Sequence, residues 1–421
     1  MNNNLGRVAS SAIRGARGKV PSLSRYFRLT LLNLNIITHC EPGRESSIAV
    51  IMNLRDASPS QFFENRRFMD KPARVIRFHK PGGPEVLKVE ELSLPEPRGK
   101  EVVMRVLAIG LSRVDVLWRE GAYFEQPVLP AGVGYEAAGI IESIGPEVTT
   151  LKIGDHVSTF PAVSLLNYTA HGEMILYPED ALFLYPQNLN FNQAAAVNTG
   201  LFAAYFALVE LSVVQPGQYV VVTAASSSMG VAVIQVAKGL GAKTIAVTRS
   251  EVKRQQLTAA GADHVIVAGI DDVQETILEI TADDGVHVVC DGVGGPGLEE
   301  LVWATKRFGH VIVYGYLGAM EDATSLPLGA CFLRGLNLHA SYKIFDFTGH
   351  PGLSIPPNRG AIERAKQFVF DGLATGLFKP KIDRVFVGLE EYAAAHEYMG
   401  TNAQIGKIIV SLDKETVHQN R

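Results

Sequence analysis

The residues with the clearest capacity to bind a ligand lie in the stretch VVVTAASSSMG, between an apolar run and a helical pattern. Its small residues let backbone N–H groups approach a pyrophosphate, and the following helix presents its N-terminus to that charge. The candidates are Ser226, Ser227, Ser228, Met229 and Gly230. Serines stand where the glycine-rich G-x-G-x-x-G pattern has its first glycines, so an ordinary strand-to-helix turn is the alternative.

The end of the next apolar run, TIAVTRS, bears on the choice of dinucleotide. An NAD site places an acidic residue here to bind the ribose 2′-hydroxyl, yet no acid occurs before Glu251. Arg249, Ser250 and Lys253 occupy the region instead. These residues can bind a 2′-phosphate, with the arginine in bidentate geometry; the alternative is a pair of solvated cations at a helix start. The missing acid favours NADP(H) as the cofactor.

The elements around these residues indicate an α/β protein with two folded domains. After Asn192, apolar strands alternate with helical patterns, which predicts βαβ units and a doubly wound parallel sheet over residues 196–345. From Arg74 onward, runs rich in Val and Ile are separated by Gly and Pro turns, which predicts a partly antiparallel β domain. We expect that domain to comprise residues 72–195 and 346–412, because QIGKIIVSL reads as a strand that returns to it. The predicted tail comprises residues 413–421.

Composition excludes several classes of protein. The chain has 421 residues, 47% of them apolar and 19% charged, so it can build sizeable cores. A net charge of −4 gives no strong field for nucleic acids or anionic membranes. Cys40, Cys290 and Cys331 lie far apart, which predicts a reducing compartment and neither a disulfide framework nor a structural zinc site. No apolar run approaches the roughly 20 residues of a membrane helix, so we expect no membrane partner. We expect the substrate to be a small molecule.

The first 71 residues read as an extension outside the fold. No acid precedes Glu41, and serines are interspersed among basic residues, as in an organellar transit peptide. The basic residues are Arg7, Arg14, Arg17, Lys19, Arg25 and Arg28. A disordered tail and a wrongly chosen start codon are the alternatives, since MDKPARVIRF at Met69 reads like a natural beginning. We predict a cytoplasmic protein, or a mitochondrial one if residues 1–40 act as a transit peptide.

Several stretches, in this order, resemble the medium-chain dehydrogenase/reductase superfamily, in particular its quinone oxidoreductase and enoyl reductase branch. They are GGPEVLKVEEL, GLSRVDVLWREGAY, LPAGVGYEAAGIIESIG, IGDHV, PGQYVVVTAASSSMG, GADHVI, DGVGG and IGKIIV, spread over about residues 73–412. The resemblance implies a GroES-like catalytic domain, a Rossmann domain and frequent homodimers. Residues 330–343 resemble the segment that pairs across the dimer in relatives.

The zinc-dependent members hold a catalytic metal with a Cys, a His and a second Cys or an Asp. At the corresponding places this sequence has Ser112, Tyr135 and Thr199, none of which is a usual zinc ligand. Glu136 remains, but one carboxylate does not make a zinc site, and the cysteine-rich lobe of the zinc branch is absent. The histidines of this region, which we expect at the surface or in turns, are His156 and His171. The resemblance therefore implies an enzyme without a metal.

Without zinc, a simple alcohol has no strong activator for its hydroxyl proton. A conjugated C=C–C=O acceptor needs less help, because hydride adds to its β-carbon and the enolate needs only hydrogen-bond donors and one proton. Tyr123 in REGAYFEQP matches the tyrosine that enoyl reductase relatives use as a proton donor; the alternative is that it packs over the nicotinamide or the substrate. Ser112 and Thr199 can donate to the nicotinamide ribose or carboxamide, or be plain packing residues.

Two further stretches, DGVGG and VYGYLG, end strands of the predicted parallel sheet, and ligands bind beyond such strand ends. The candidates to flank the nicotinamide are Val293, Tyr314, Gly315 and Leu317. By the resemblance, Gly406 and Lys407 lie where the last strand returns near the cofactor, with a solvated cation as the alternative for Lys407.

Together these features predict a zinc-independent, NADPH-dependent oxidoreductase that acts on a quinone or an α,β-unsaturated carbonyl compound. An alcohol or aldehyde reductase of the same superfamily is the first alternative, and a non-catalytic NADPH-binding protein is the second. The substrate itself is not predicted, because the loops that would line a pocket carry no diagnostic charge.

Overall fold

The structure, a computed structural model, describes residues 67–69, 72–317, 324–341 and 343–413. The transit-like stretch 1–40 and Cys40 lie outside the described residues, as does the tail after residue 413. The described part has an α/β fold with two largely antiparallel sheets, of three and seven strands, and one six-stranded parallel sheet, which confirms the predicted fold class.

The antiparallel region begins with eight strands. They are β1 (Ala73–Phe78), β2 (Lys88–Leu92), β3 (Glu101–Leu111), β4 (Ala131–Gly132), β5 (Glu136–Ile144), β6 (His156–Thr159), β7 (Met174–Pro178) and β8 (Leu182–Leu184). The long strand β3 is buried along nearly all its length, because its Val, Met and Ile side chains pack on both faces. Its two edges pair with β5 and β7.

The parallel sheet comes next in the chain. Its strands are β9 (Tyr219–Val222), β10 (Lys243–Thr248), β11 (His264–Val267), β12 (Val286–Asp291), β13 (Thr305–Val313) and β14 (Asn337–Ala340). The spatial order is β11-β10-β9-β12-β13-β14, so the chain winds outward from β9 in one direction and from β12 in the other. A ligand crevice forms at the carboxyl ends of β9 and β12, where that direction reverses.

The last two strands, β15 (Ile382–Val387) and β16 (Lys407–Ser411), leave the parallel sheet and join the antiparallel one. Strand β16 pairs antiparallel with β3, and Ile409 lies opposite Gly110. The predicted return of the final strand is therefore confirmed. A Cβ on Gly110 would lie 2.2 Å from the Ala195 carbonyl oxygen, so only glycine allows this close packing.

Helices connect and cover the strands. They are α1 (Arg113–Glu120), α2 (Phe191–Ala194), α3 (Asn198–Tyr205), α4 (Ser228–Gly239), α5 (Arg254–Ala259), α6 (Val273–Ile280), α7 (Leu298–Trp303), α8 (Leu328–Arg334), α9 (Lys343–Thr348), α10 (Arg359–Ala374) and α11 (Tyr392–Gly400). The helix predicted after Asn192 forms as α2, α3 and a π-helical segment, Phe206–Leu211.

That helical segment corrects one expectation from the sequence. Residues Phe191–Leu211 are long and apolar enough to cross a membrane by length and composition, although no such run was expected. Most of the segment is buried inside the protein, and Phe202 and Phe206 are fully enclosed. Burial of this kind is typical of the core helix of a folded domain, since all its faces meet protein.

Candidate active site

The turn after β9 has the geometry of an anion site. The Ser227 side chain caps α4 by accepting the Gly230 N–H at 3.0 Å. A Cβ on Gly230 would lie 2.6 Å from Ala225 Cα, so the glycine lets the helix pack directly on the turn. First-turn N–H groups have no acceptor within their own helix. Those of Ser228 and Met229 can therefore face a bound phosphate.

Lys253 and Gly406 meet this turn from other parts of the chain. The Lys253 ammonium donates to Ser226 Oγ at 2.9 Å, to the Asn402 carbonyl at 2.8 Å and to the Gln404 carbonyl at 3.0 Å. The Gly406 N–H donates to the Ser226 carbonyl at 2.9 Å. Three donated bonds use all three ammonium hydrogens, so Lys253 would have to exchange one of them to bind a 2′-phosphate.

Arg249 and Ser250 lie at the carboxyl end of β10. The Arg249 side chain is exposed, and within the described ranges it forms no hydrogen bond or ion pair. The Ser250 N–H donates to Thr248 Oγ1 at 3.3 Å, which holds the turn. The guanidinium of Arg249 is thus available to an incoming anion.

The loop after β12 is organised by a buried carboxylate. Asp291 is 1% exposed and accepts the Val293 N–H at 3.1 Å and the Gly294 N–H at 2.7 Å. Thr223, at the end of β9, donates its hydroxyl to the same carboxylate. The ends of β9 and β12 are therefore tied together at the crevice, beside Val293.

The end of β13 packs against that loop. The Tyr314 hydroxyl donates to the Thr223 carbonyl at 3.4 Å, and the Leu317 N–H donates to the Gly292 carbonyl at 3.4 Å. A Cβ on Gly315 would lie 2.7 Å from that same carbonyl oxygen. Tyr314, Gly315 and Leu317 are thereby placed at the crevice opening where the sequence predicts the nicotinamide.

A buried ammonium lies in the antiparallel sheet next to this crevice. The Lys407 ammonium donates to Glu136 Oε1 at 2.6 Å and to Ser112 Oγ at 2.9 Å, and the Ser112 hydroxyl donates to Glu136 Oε1 at 2.6 Å. Lys407 and Glu136 are each only 2% exposed. The alternative of a solvated Lys407 is therefore wrong, because β16 inserts between β15 and β3 and directs the side chain inward.

The same bonds define what Ser112 can do. Its hydrogen is donated to Glu136, so toward a ligand the hydroxyl oxygen acts as an acceptor. Ser112 also precedes α1, where its N–H donates to Asp115 Oδ2 at 2.7 Å. Burial raises the pKa of Asp115 to about 7.

His171 is buried beside this cluster, which corrects the expectation of a surface or turn histidine. Its Nδ1 lies 2.5 Å from the Tyr392 hydroxyl, and burial lowers its pKa to about 3. A Cβ on Gly134 would lie 2.0 Å from the ring, so the missing side chain makes room for it. His156 is exposed, as expected.

Two phenols face each other next to Glu136. The hydroxyls of Tyr123 and Tyr135 are 3.3 Å apart, and the side chains are 2% and 3% exposed. The ring centroids of Tyr123 and Phe124 are 4.4 Å apart, and those of Tyr135 and Phe345, on α9, are 5.9 Å apart. Aromatic rings from two separate segments of the chain thus pack against the two phenols.

Helix α3 is fixed to the same place through Thr159. The Asn198 amide donates to the Thr159 carbonyl at 2.5 Å, and the Thr159 hydroxyl donates to the Tyr135 carbonyl at 2.7 Å. The neighbouring Thr199 has a buried hydroxyl with no hydrogen-bond partner in the described part of the chain. An unpaired buried hydroxyl costs about 1–3 kcal/mol, so Thr199 suits a ligand that supplies the missing partner.

The geometry agrees with comparisons to known proteins. Residues 98–218 match the family model described as alcohol dehydrogenase GroES-like domain, and residues 228–344 match the one described as zinc-binding dehydrogenase. A 2-haloacrylate reductase from Burkholderia sp is 30% identical over 340 residues, which cover 79% of this chain and 97% of the relative. The chain belongs to the medium-chain dehydrogenase/reductase superfamily.

Other members place it in the quinone oxidoreductase branch. A quinone oxidoreductase from Salmonella typhimurium is 32% identical over 345 residues, with 80% of this chain and 99% of the relative covered. The crystal structure of Escherichia coli quinone oxidoreductase complexed with NADPH aligns with a TM-score of 0.71 at 28% identity, covering 81% of this chain and 100% of that one.

The residues at the superfamily's zinc-ligand positions do not fit the metal. Ser112, Tyr135 and Thr199 are not usual zinc ligands, and Glu136 already binds the ammonium of Lys407. Among the described residues, no group of three or more His, Cys, Asp or Glu side chains can hold a metal ion. The chain's own cation neutralises the carboxylate that remains.

Sequence reasoning missed one polar group near the phenols. Glu125 is 7% exposed, accepts the Ser164 hydroxyl at 2.7 Å and lies 3.7 Å from His350 Nε2. The Gly352 N–H donates to His350 Nδ1 at 3.1 Å, so the ring carries its proton on Nε2, toward Glu125. No local pattern could reveal this contact, because Glu125 and His350 lie far apart in the sequence.

Proposed function

We propose that this oxidoreductase uses NADPH to transfer hydride to a quinone or an α,β-unsaturated carbonyl compound without bound zinc. The observation that carries the proposal is the Lys407 ammonium, which donates to Glu136 and to Ser112, the residue that stands at one of the superfamily's zinc-ligand positions. With Glu136 paired to a cation of the chain and no usual zinc ligand at Ser112, Tyr135 or Thr199, the site suits acceptors that need hydrogen-bond donors rather than a Lewis acid.

The chain's residues divide the work of binding between the two ends of the crevice. The turn from Ser226 to Gly230 binds the pyrophosphate, and Arg249 and Ser250 bind the 2′-phosphate. At the other end, the unpaired Thr199 hydroxyl bonds the nicotinamide carboxamide or ribose. NADPH, when bound, supplies the hydride. Tyr123 donates the proton that completes the reduction.

Three observations support NADPH over NADH. The exposed Arg249 has no partner within the described residues, and no acid stands at the end of β10 to accept a ribose 2′-hydroxyl. The Escherichia coli relative was crystallised with NADPH.

The names of two relatives support the substrate class. One reduces a 2-haloacrylate and others are quinone oxidoreductases. Both kinds of acceptor carry a C=C bond conjugated with a carbonyl or carboxylate group. The aromatic rings packed against Tyr123 and Tyr135 suit contact with such flat, conjugated molecules.

The proposal is tested by one substrate screen on purified protein whose zinc content is measured. A quinone, an enone and a saturated aldehyde are each offered with NADPH and with NADH. We expect turnover of the conjugated acceptors, preference for NADPH and far less than one zinc per chain. Preferred reduction of the aldehyde with stoichiometric zinc would establish the alcohol or aldehyde reductase alternative. NADPH binding without turnover of any acceptor would establish the non-catalytic one.

We also propose a homodimer formed through the β14 edge of the parallel sheet. Strand β14 is the last strand of that sheet, and α8 beside it exposes Leu328, Phe332 and Leu333. Edge strands with adjoining apolar surface pair readily with a second copy. Sedimentation should give twice the chain mass, and Phe332→Glu should reduce it toward one chain; a wild-type monomer would refute the proposal.

For localisation, we propose the cytoplasm. A reporter fused after residue 40 tests this, because mitochondrial import of the fusion would establish the transit-peptide alternative.

A further inference from the structure

We infer that Tyr135 is a second catalytic phenol, which binds the substrate's carbonyl oxygen while Tyr123 supplies the proton. The inference rests on the proposed function, and it divides between two residues the roles that the sequence assigned to Tyr123 alone. It begins from the 3.3 Å contact between the two hydroxyl oxygens, both of which are buried.

The hydrogens of the pair leave one donor for a ligand. Each phenol carries one hydrogen, and only one hydrogen can lie between two oxygens. When Tyr123 donates to Tyr135, the Tyr135 hydrogen is directed to a third atom. The contact with Tyr123 is the one hydrogen bond of the Tyr135 side chain within the described residues. A carbonyl oxygen of the substrate would supply the acceptor.

The surroundings keep Tyr135 in the protonated form. Burial, then the nearby Tyr123 and Glu125, raise its pKa well above the ordinary value. The phenol therefore remains a hydrogen-bond donor across the whole neutral range. Enclosure by Phe124 and Phe345 keeps water away, which strengthens a hydrogen bond to developing negative charge.

The backbone of Tyr135 is held rigidly, as a donor to a transition state requires. Its carbonyl accepts the Thr159 hydroxyl at 2.7 Å, and the same hydroxyl oxygen accepts the Ala137 N–H at 2.8 Å. Thr159 in turn accepts from Asn198, next to Thr199 on α3. Tyr135 is thus fixed relative to the residue proposed to bind the nicotinamide end of the cofactor.

The division of roles balances the reaction. The β-carbon of the enone gains the hydride, the C=C electron pair moves toward the carbonyl, and the oxygen becomes an enolate oxygen bonded by the Tyr135 hydroxyl. The Tyr123 hydroxyl hydrogen then rotates from Tyr135 to the α-carbon, Tyr123 gives up that proton as the new C–H bond forms, and it regains one from solvent. The dinucleotide is oxidised by two electrons, the C=C bond is reduced, and Tyr135 keeps its proton throughout.

The test compares Tyr135→Phe with Tyr123→Phe and with a matched control, Tyr185→Phe, in the full chain. Tyr185 is also a buried phenol whose pKa is raised by burial, but it contacts His156 and Phe191 instead of the pair. Loss of one donor to an oxyanion lowers kcat by about 100-fold or more. We expect that loss for Tyr135→Phe with an enone, and no more than about a twofold change for the control.

Two readouts separate a catalytic role from a structural one. NADPH affinity, measured by fluorescence titration, should be the same in Tyr135→Phe and wild type. The loss of kcat should also be smaller with a quinone than with an enone, because the hydroquinone oxygen is a weaker base and needs its donor less. A variant that keeps wild-type kcat, or that loses NADPH affinity and activity together, would overturn the inference. Absence of activity in the wild type would instead refute the proposed function.

Discussion

The two ends of the crevice hold their cations in opposite ways. At the end proposed to bind the phosphates, Arg249 is exposed and without a partner in the described part of the chain. At the centre of the antiparallel sheet, Lys407 is enclosed and bonded to Glu136 and Ser112. One cation is available for an anion that arrives from solution, whereas the other is already neutralised by the protein.

The difference in exposure gives the two cations different roles: Arg249 is suited to bind the cofactor, and Lys407 to stabilise the folded site. An exposed guanidinium contributes affinity and can be removed with little effect on folding. A buried ammonium is part of the folded structure, because removing it leaves the Glu136 carboxylate without a counter-ion in a poorly solvated place. Substitution of Arg249 should therefore change the affinity for NADPH, whereas substitution of Lys407 should change the free energy of unfolding.

The largest effect is expected at the buried pair. Lys407→Met should lower the free energy of unfolding by about 3–5 kcal/mol, because it leaves a buried carboxylate unpaired. The double variant Lys407→Met with Glu136→Gln should recover much of that loss, as measured by urea denaturation. A double variant as unstable as the sum of its single variants would show that the two groups act independently.

The second prediction concerns the close packing of α4 on the turn after β9, which depends on Gly230. Gly230→Ala places a Cβ 2.6 Å from the Ala225 backbone and should lower stability by about 3 kcal/mol and weaken NADPH binding. Gly297→Ala is the matched control, since among the described residues no atom beyond its chain neighbours lies within 4 Å of its added Cβ. Unfolding and NADPH titrations compare the two. Equal behaviour of both variants would contradict the tight helix packing at the turn.

Buried His171 makes the stability of the protein depend on pH. Because the pKa of folded His171 is lowered to about 3, the unfolded chain gains a proton that the folded chain does not as the pH falls below about 6.5. Stability is therefore lost on acidification through this window, by about 2 kcal/mol at pH 5. His171→Gln should reduce the difference in unfolding free energy between pH 7.5 and pH 5 by that amount. An unchanged difference would mean that the histidine charges in the folded state.

The smallest effect is expected at the exposed cation. Arg249→Ala should raise the KM for NADPH about tenfold, through loss of a charge-assisted bond, and leave stability unchanged. Arg359→Ala, at an exposed arginine on α10, is the control. A KM for NADH that rises as much as that for NADPH would show that Arg249 does not contact the 2′-phosphate.

The elements around the proposed phosphate site could be predicted because the sequence pattern that indicates them is local. Gly230, Arg249 and Ser250 lie within a βαβ unit whose order can be read from apolar periodicity. The parallel sheet was predicted on the same basis, whereas the return of β16 was predicted because the first domain was otherwise short of edge partners. Domain limits and the roles of the candidate residues stay predictions.

The chemical centre was harder because its contacts are distant in sequence. Lys407 meets Glu136 across 271 positions, and nothing around either residue distinguishes a buried pair from solvated charges. His171 is buried only because Gly134 leaves space above its ring. The membrane-length helix at Phe191–Leu211 was overlooked because polar Asn and Thr interrupt its apolar residues.

The central claim is that hydride reaches a conjugated carbon while the chain's own donors hold the oxygen. The most direct measurement follows the label when an enone is reduced with NADPH deuterated at C4, in each epimer, and the product is analysed by NMR. The account predicts deuterium on the β-carbon and a solvent-derived hydrogen on the α-carbon of a saturated ketone. Deuterium on the carbonyl carbon of an allylic alcohol would contradict it.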